Sequence, residues 1–315
     1  MKYYETNIAR AFRCIAGECR HTCCAADWEI DIDGETLEHY RSADGPFGER
    51  LRAGITESDG TPCFRKDERG RCVLLNEENL CDVYRNLGAD SLCQICRDHP
   101  RYRSFFPDRE ELGVGLCCEE AARLTLTRTE KMHLVLTEDD GDGEENDPQS
   151  EQLLMIRQAV LETLQDRSLP VADRVGALYE ALGQPEPRLD RQAAARKLLE
   201  LERLEQSWGE VLERWRQSER KQEPSGEAWE NCQEQLLCYL VLRHLPPAAE
   251  DGLLLSRLAL CVLGWQLMRN MAAGLGLNTP EEWAELTRRL SGELEYSEVN
   301  VDILLERITE RLDGE

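Results

Sequence analysis

Apolar residues recur with a helical period through the second half of the chain and with no sustained period in the first. Leu153, Leu154, Ile156, Val160, Leu161 and Leu164 fall mostly three and four apart, which places them on one side of a helix. Leu169-Pro170 ends that element. Asp173 to Leu182 predicts a second helix, closed by Gly183. Leu201, Leu204, Trp208, Val211 and Trp215 predict a third, long helix with a core-facing stripe. Trp229 to Leu245 predicts another, stopped by Pro246-Pro247. Leu253 to Met271 is apolar on most sides but broken by Arg257, and reads as a central buried helix rather than a membrane span. Thr279-Pro280-Glu281-Glu282 is a helix start, with Thr at the cap and acids at the positive end. A last helix over Ser297 to Leu312 is capped by Ser297 and presents Val301, Leu304, Leu305 and Ile308.

The first half reads differently. Trp28-Glu29-Ile30-Asp31-Ile32-Asp33 alternates apolar and acidic, which predicts a short strand ending at Gly34. Short helices are expected over Glu35 to Ser42, Leu80 to Leu87 and Glu119 to Leu126. Gly-Pro, Asp-Gly and Pro-Asp turns separate them. The expected architecture is mainly α. Residues 1–136 form a loop-rich cysteine domain with short strands and helices, 137–151 an acidic linker, and 152–315 an all-helical domain. The linker contains no apolar and no basic residue, the composition of a solvated connector.

Charge narrows the partners. With 38 basic and 62 acidic residues the chain carries −24, which argues against nucleic acid and anionic membranes, since both require basic surfaces. The first residues have a single positive charge and no apolar run, so no secretory signal is read and a cytoplasmic location is expected.

Cysteine then changes the picture. Cys14, Cys19, Cys23 and Cys24 lie within eleven residues, and Cys63, Cys72, Cys81, Cys93, Cys96, Cys117 and Cys118 follow before the density falls. Disulfides, chance burial and ligation are the alternatives. A reducing compartment disfavours disulfides, and the vicinal pairs Cys23-Cys24 and Cys117-Cys118 cannot bridge internally without strain. Crowded thiolates repel unless a cation offsets them, so a metal or iron–sulfur centre is favoured. Cys14-x4-Cys19-x3-Cys23-Cys24 matches neither zinc-finger nor ferredoxin spacing, while Cys93-x2-Cys96 is one standard knuckle. His21 is a further ligand candidate, and His99 is expected to pack in a turn. Cys232, Cys238 and Cys261 sit inside helices without ligand spacing and read as packed thiols.

Phe12-Arg13-Cys14-Ile15-x3-Cys19-x2-Thr22-Cys23-Cys24-x3-Trp28-x-Ile30-x-Ile32-Asp33 resembles the start of the flagellin lysine-N-methylase (FliB) family. Leu80-Cys81-Asp82-Val83-Tyr84-Arg85-Asn86-Leu87-Gly88, then Cys96-x3-Pro100-Arg101, then Cys117-x-Glu119-Glu120-Ala121-Ala122-Arg123-Leu124 continue that likeness in order. Gly292-Glu293-Leu294-Glu295-Tyr296-Ser297-x2-Asn300 resembles its closing block more weakly. The first half also resembles a broader family of zinc- or iron-chelating cysteine-cluster domains. Cys118 stands where a proline is expected, and Cys63 and Cys93 are extra.

The resemblance implies methyl transfer from S-adenosylmethionine to surface lysines of flagellin by a protein holding an iron–sulfur cluster, with [4Fe–4S] favoured and zinc the alternative. The thiols matching its pattern are Cys14, Cys19, Cys23, Cys24, Cys72, Cys81, Cys96 and Cys117. An acceptor lysine must lose a proton from an amine of pKa about 10.4, which costs about 4–5 kcal/mol at neutral pH. Tyr3, Tyr4, Asp27 and Asp33 are weak candidates to help. No Gly-x-Gly-x-x-Gly follows a strand; Gly113-Val114-Gly115 lacks the rest of the motif. The competing reading is therefore a non-enzymatic zinc- or iron-binding scaffold or metal carrier.

Overall fold

The structure, a computed structural model, describes residues 1–25, 28–219 and 222–314. In chain order, strand β1 (Lys2–Thr6) runs into helix α1 (Asn7–Ala11), and helices α2 (Gly34–Ser42) and α3 (Gly45–Ala53) precede the hairpin of β2 (Ile55–Ser58) and β3 (Thr61–Phe64). Helices α4 (Asp82–Leu87) and α5 (Gln94–Asp98) lead to the hairpin of β4 (Arg101–Phe106) and β5 (Arg109–Val114), then α6 (Glu119–Thr127) and β6 (Leu134–Asp139). The remainder is helical: α7 (Pro148–Leu164), α8 (Val171–Leu182), α9 (Arg191–Glu200), α10 (Gln206–Gln217), α11 (Glu227–His244), α12 (Ala248–Asp251), α13 (Leu254–Leu275), α14 (Pro280–Glu295) and α15 (Glu298–Asp313). The fold is mainly α with a small mixed sheet in the N-terminal part.

Two compact units result, and they do not follow chain order. One gathers Met1–Phe12, Arg101–Cys117 and Ala121–Glu315; the other gathers Arg13–Pro100 and Cys118–Glu120. Strand pairing explains why residues 1–12 join the helices. β1 lies between β5, which it pairs in parallel, and β6, which it pairs antiparallel, in a sheet of order β4-β5-β1-β6. The acidic stretch is partly structured. Residues 137–139 belong to β6 and 148–151 open α7, whose cap Asp147 accepts from the amides of Gln149 and Ser150.

Within the helical unit, α11 and α13 are covered on most sides. Cys232, Cys238 and Cys261 are at most 1% exposed, as packed thiols should be. α13 is long and apolar enough to cross a membrane by length and composition. Here its apolar side chains Leu258, Val262, Trp265 and Met268 are buried core residues of this unit. Buried charges are paired: Glu234 takes Arg174 at 2.6 Å and Arg167 at 2.7 Å, and Glu111 takes Arg157 at 2.6 Å. Gly183 closes α8 in the left-handed conformation, and α14 opens with the full capping box at Thr279 and Glu282.

Two expected elements differ. The expected third helix starts late, as α10 at Gln206, with Leu201 and Leu204 in the turn before it, and α9, which the apolar pattern did not predict, precedes that turn. Side chains from the α14–α15 corner take over the backbone groups there. Glu293 accepts from the amides of Leu204 and Glu205 at 3.0 and 2.7 Å, and Asn300 bonds both the amide and the carbonyl of Glu202. The expected strand at Trp28–Asp33 is reduced to a bridge of Asp31 with Cys63, flanked by bonds from Ile30 and Ile32 to the β3 region. Its alternation is nonetheless real, with Ile30 and Ile32 buried and Asp31 exposed.

Candidate functional site

The smaller unit is built around thiols. Its core joins Ile30, Ile32, Leu37, Tyr40, Leu51 and Phe64 to Cys72 and Cys93, with Cys24, Cys81 and Cys96 packed against it. Local chemistry aims them. The Cys72 amide donates to the Cys24 carbonyl at 2.8 Å, and Cys81 and Cys93 are the capping residues of α4 and α5. Cys93 and Cys96 are three apart across the first turn of α5, so their sulfurs face one side. Asp33 fastens this arrangement: one oxygen caps α2 at the Thr36 amide, and the other accepts from the Gln94 amide at 2.8 Å.

Electrostatics shows how close the sulfurs are. Cys96 donates to Cys93, which lowers the Cys93 thiol and raises that of Cys96. Cys24 is raised by its hydrogen bond with Cys23 and by burial. Burial pushes Cys72 up to about 12, reinforced by Cys24, Cys81 and Cys93. Cys81 is raised by burial as well. Six thiols, those of Cys23, Cys24, Cys72, Cys81, Cys93 and Cys96, thus lie together at this core. Among the described residues, no three His, Cys, Asp or Glu side chains converge tightly enough to hold an ion as they stand. The soft donor set fits zinc or an iron–sulfur cluster.

The eight thiols of the family pattern divide. Cys23, Cys24, Cys72, Cys81 and Cys96 come together, and Cys93, set aside as extra, joins them. Cys19 stands apart, half-buried and pushed up to about 12 by burial, beside Cys118 and 3.7 Å from a Glu119 oxygen. The same carboxylate receives the amides of Arg20 and His21 and the Arg20 side chain. Cys14 is exposed. Cys63 is buried near Glu29 and Asp31, and Cys117 belongs to the helical unit. His99 is held at about 4 by burial and lies 5.3 Å from the Trp28 ring. Of the proton-handling candidates, Asp27 lies outside the described residues. Tyr3 donates to Asp140 at 3.2 Å, the Tyr4 ring lies under Arg109, and both Asp33 oxygens serve backbone amides.

A second constellation lies in the helical unit; its Glu295 and Tyr296 fall in the weakly matching closing block, but its partners Tyr239, Arg243 and His244 carried no signal in the sequence. Glu295, at the end of α14, accepts from Tyr239 at 2.5 Å, Ser291 at 2.7 Å and His244 at 3.1 Å, with Arg243 at 3.6 Å. Burial would raise its carboxyl, but Arg243, His244 and Tyr239 outweigh that and hold it at about 2. The Arg243 guanidinium is sandwiched between Tyr102 and Tyr296, 4.9 Å from each ring. Gly115 makes this possible, because a Cβ there would stand 2.1 Å from the Tyr296 hydroxyl. Gly113 does the same for the Tyr102 ring. These glycines serve close packing of aromatic side chains. Burial raises both phenols, and the Cys117 thiol adds to the rise at Tyr296.

Known proteins give one line of likeness. The chain is 25% identical over 141 residues to the lysine-N-methylases of Salmonella typhimurium and Salmonella choleraesuis, 41% of this chain and 34% of theirs. It is 26% identical over 136 residues to the flagellar biosynthetic protein FliU of Salmonella muenchen, 80% of whose length is covered. The alignment therefore spans about a third of the two lysine-N-methylases. No family model matches the chain, and no solved structure matches it.

Proposed function

We propose that the chain is an S-adenosylmethionine-dependent protein-lysine N-methyltransferase acting on surface lysines of flagellin, working in the reducing cytoplasm. The observation that carries this reading is the likeness to the Salmonella lysine-N-methylases. The thiol pocket supports its second part, an iron–sulfur cluster, which Cys23, Cys24, Cys72, Cys81, Cys93 and Cys96 would hold. When bound, such a cluster supplies cross-links between loops that have few strands or helices to fix them. In the reaction, a neutral lysine nitrogen attacks the sulfonium methyl. The C–N bond forms as the S–CH3 bond breaks, and S-adenosylhomocysteine leaves with the bonding pair. The ammonium first gives its proton to solvent.

One observation favours the competing reading of a zinc- or iron-binding scaffold. The four-stranded sheet is mixed, and the rings of Tyr102 and Tyr296 pack on Gly113 of β5 and on Gly115 just after it, where a nucleotide-binding turn would leave room. Calorimetry of anaerobically purified protein with S-adenosylmethionine separates the two: saturable binding supports the transferase, and absence of binding leaves the scaffold. Brown protein with broad visible absorbance would identify iron–sulfur, and colourless protein containing zinc would identify a structural metal site.

A further inference from the structure

Between α11, α13, α14 and α15 lies a cavity of about 70 Å³. A water needs roughly 10–15 Å³ of such space, so the cavity has room for about five to seven water-sized groups. Leu240, Leu267, Met268 and Leu290 form buried apolar walls, and half-buried Leu260 and Gly264 lie toward the surface. Its polar groups are His244, Ser291, Glu295 and Thr287. The first two are spent on Glu295. Thr287 is not: it is 3% exposed, and its hydroxyl has no hydrogen-bond partner. A buried hydroxyl left unpaired is uncommon and points to an occupant that bonds it. An occupant that suits this lining is small and mainly apolar, with a donor-bearing head to meet a carboxylate and a hydroxyl.

We propose that this cavity receives the lysyl side chain of the methyl-acceptor protein, with the four-carbon stem along the leucines and the amine at Glu295 and Thr287. The inference rests on the transferase reading above. It assigns the helical unit the acceptor site, and Arg243 a positioning part. Arg243 already balances the Glu295 charge, so an incoming ammonium gains less there than beside an isolated carboxylate and sheds its proton more easily. Lysine stems line apolar surface in this way while the nitrogen reaches polar groups.

The test uses the full chain, two variants and n-butylamine as probe, with n-butanol as the uncharged control. A Cβ on Gly264 meets only Leu240, at 3.4 Å, so Gly264→Leu fills the cavity; Thr287→Val removes the hydroxyl at nearly constant shape. We expect butylamine to bind the parent in preference to butanol. Thr287→Val should weaken it about three- to tenfold, the loss of one hydrogen bond. Gly264→Leu, folded by circular dichroism, should abolish binding and raise KM for flagellin without changing affinity for S-adenosylmethionine. Equal binding of butanol, no binding of butylamine, or unchanged KM in Gly264→Leu would overturn the proposal. Butylamine binding by a parent that never methylates flagellin would retire the transferase reading and leave an amine pocket standing.

Discussion

Thiol chemistry separates residues that look alike in sequence. Cys24 and Cys72 lie in the six-thiol pocket, while Cys238 is a buried core thiol in α11. Cys24→Ser or Cys72→Ser should therefore lower bound metal per chain severalfold by elemental analysis, and Cys238→Ala should leave it unchanged. At the same scale, Glu295 makes a pH prediction. Its folded carboxyl sits at about 2 against 4.5 for the free group, so the native state binds its proton less readily than the unfolded chain. That stabilisation is present above about pH 4.5 and disappears as pH falls toward 2; its order is about 3 kcal/mol. Urea denaturation should show Glu295→Gln less stable than the parent near neutral pH and the gap closing below about pH 3. Density of cysteine pointed to a cluster of thiols, but membership depended on the path of the chain in space. Cys93 joins through its turn with Cys96, whereas Cys14 is left exposed. Glu295 was invisible as a site because Tyr239 and His244 stand more than fifty residues away in sequence.

Among the elements, those with one apolar face and local stop signals were legible: Thr279 caps α14, Ser297 caps α15 and Gly183 closes α8. The break between α9 and α10 was not, because its acceptors come from Glu293 and Asn300 on another helix pair. The apolar spacing favoured helix from Leu201 onward, and distant side chains overrode it by offering the backbone groups of 202–205 other partners. Glu293→Ala removes both acceptors from the Leu204 and Glu205 amides and should cost about 2–3 kcal/mol by chemical denaturation. Thr279→Ala removes only a cap and should cost about 1 kcal/mol. A Glu293→Ala cost no larger than that of Thr279→Ala would mean the turn holds by packing alone.

At the scale of the whole molecule, a helical unit with a large core coexists with a smaller unit whose core contains thiols. Chelation under reducing conditions should lower the thermal midpoint of the thiol-bearing unit and leave the helical unit folded, giving two transitions by circular dichroism. A single transition shifted as a whole would contradict that independence. The net charge of −24 suits a lysine-rich partner surface more than an anionic one. The proposed lysine methylation is read out by intact-protein and peptide mass spectrometry. Anaerobically prepared, metal-loaded protein is incubated with S-adenosylmethionine and flagellin, beside a Salmonella lysine-N-methylase as positive control. Methyl increments on flagellin lysines are expected in both reactions; increments with the control and none with this chain would overturn the transferase reading.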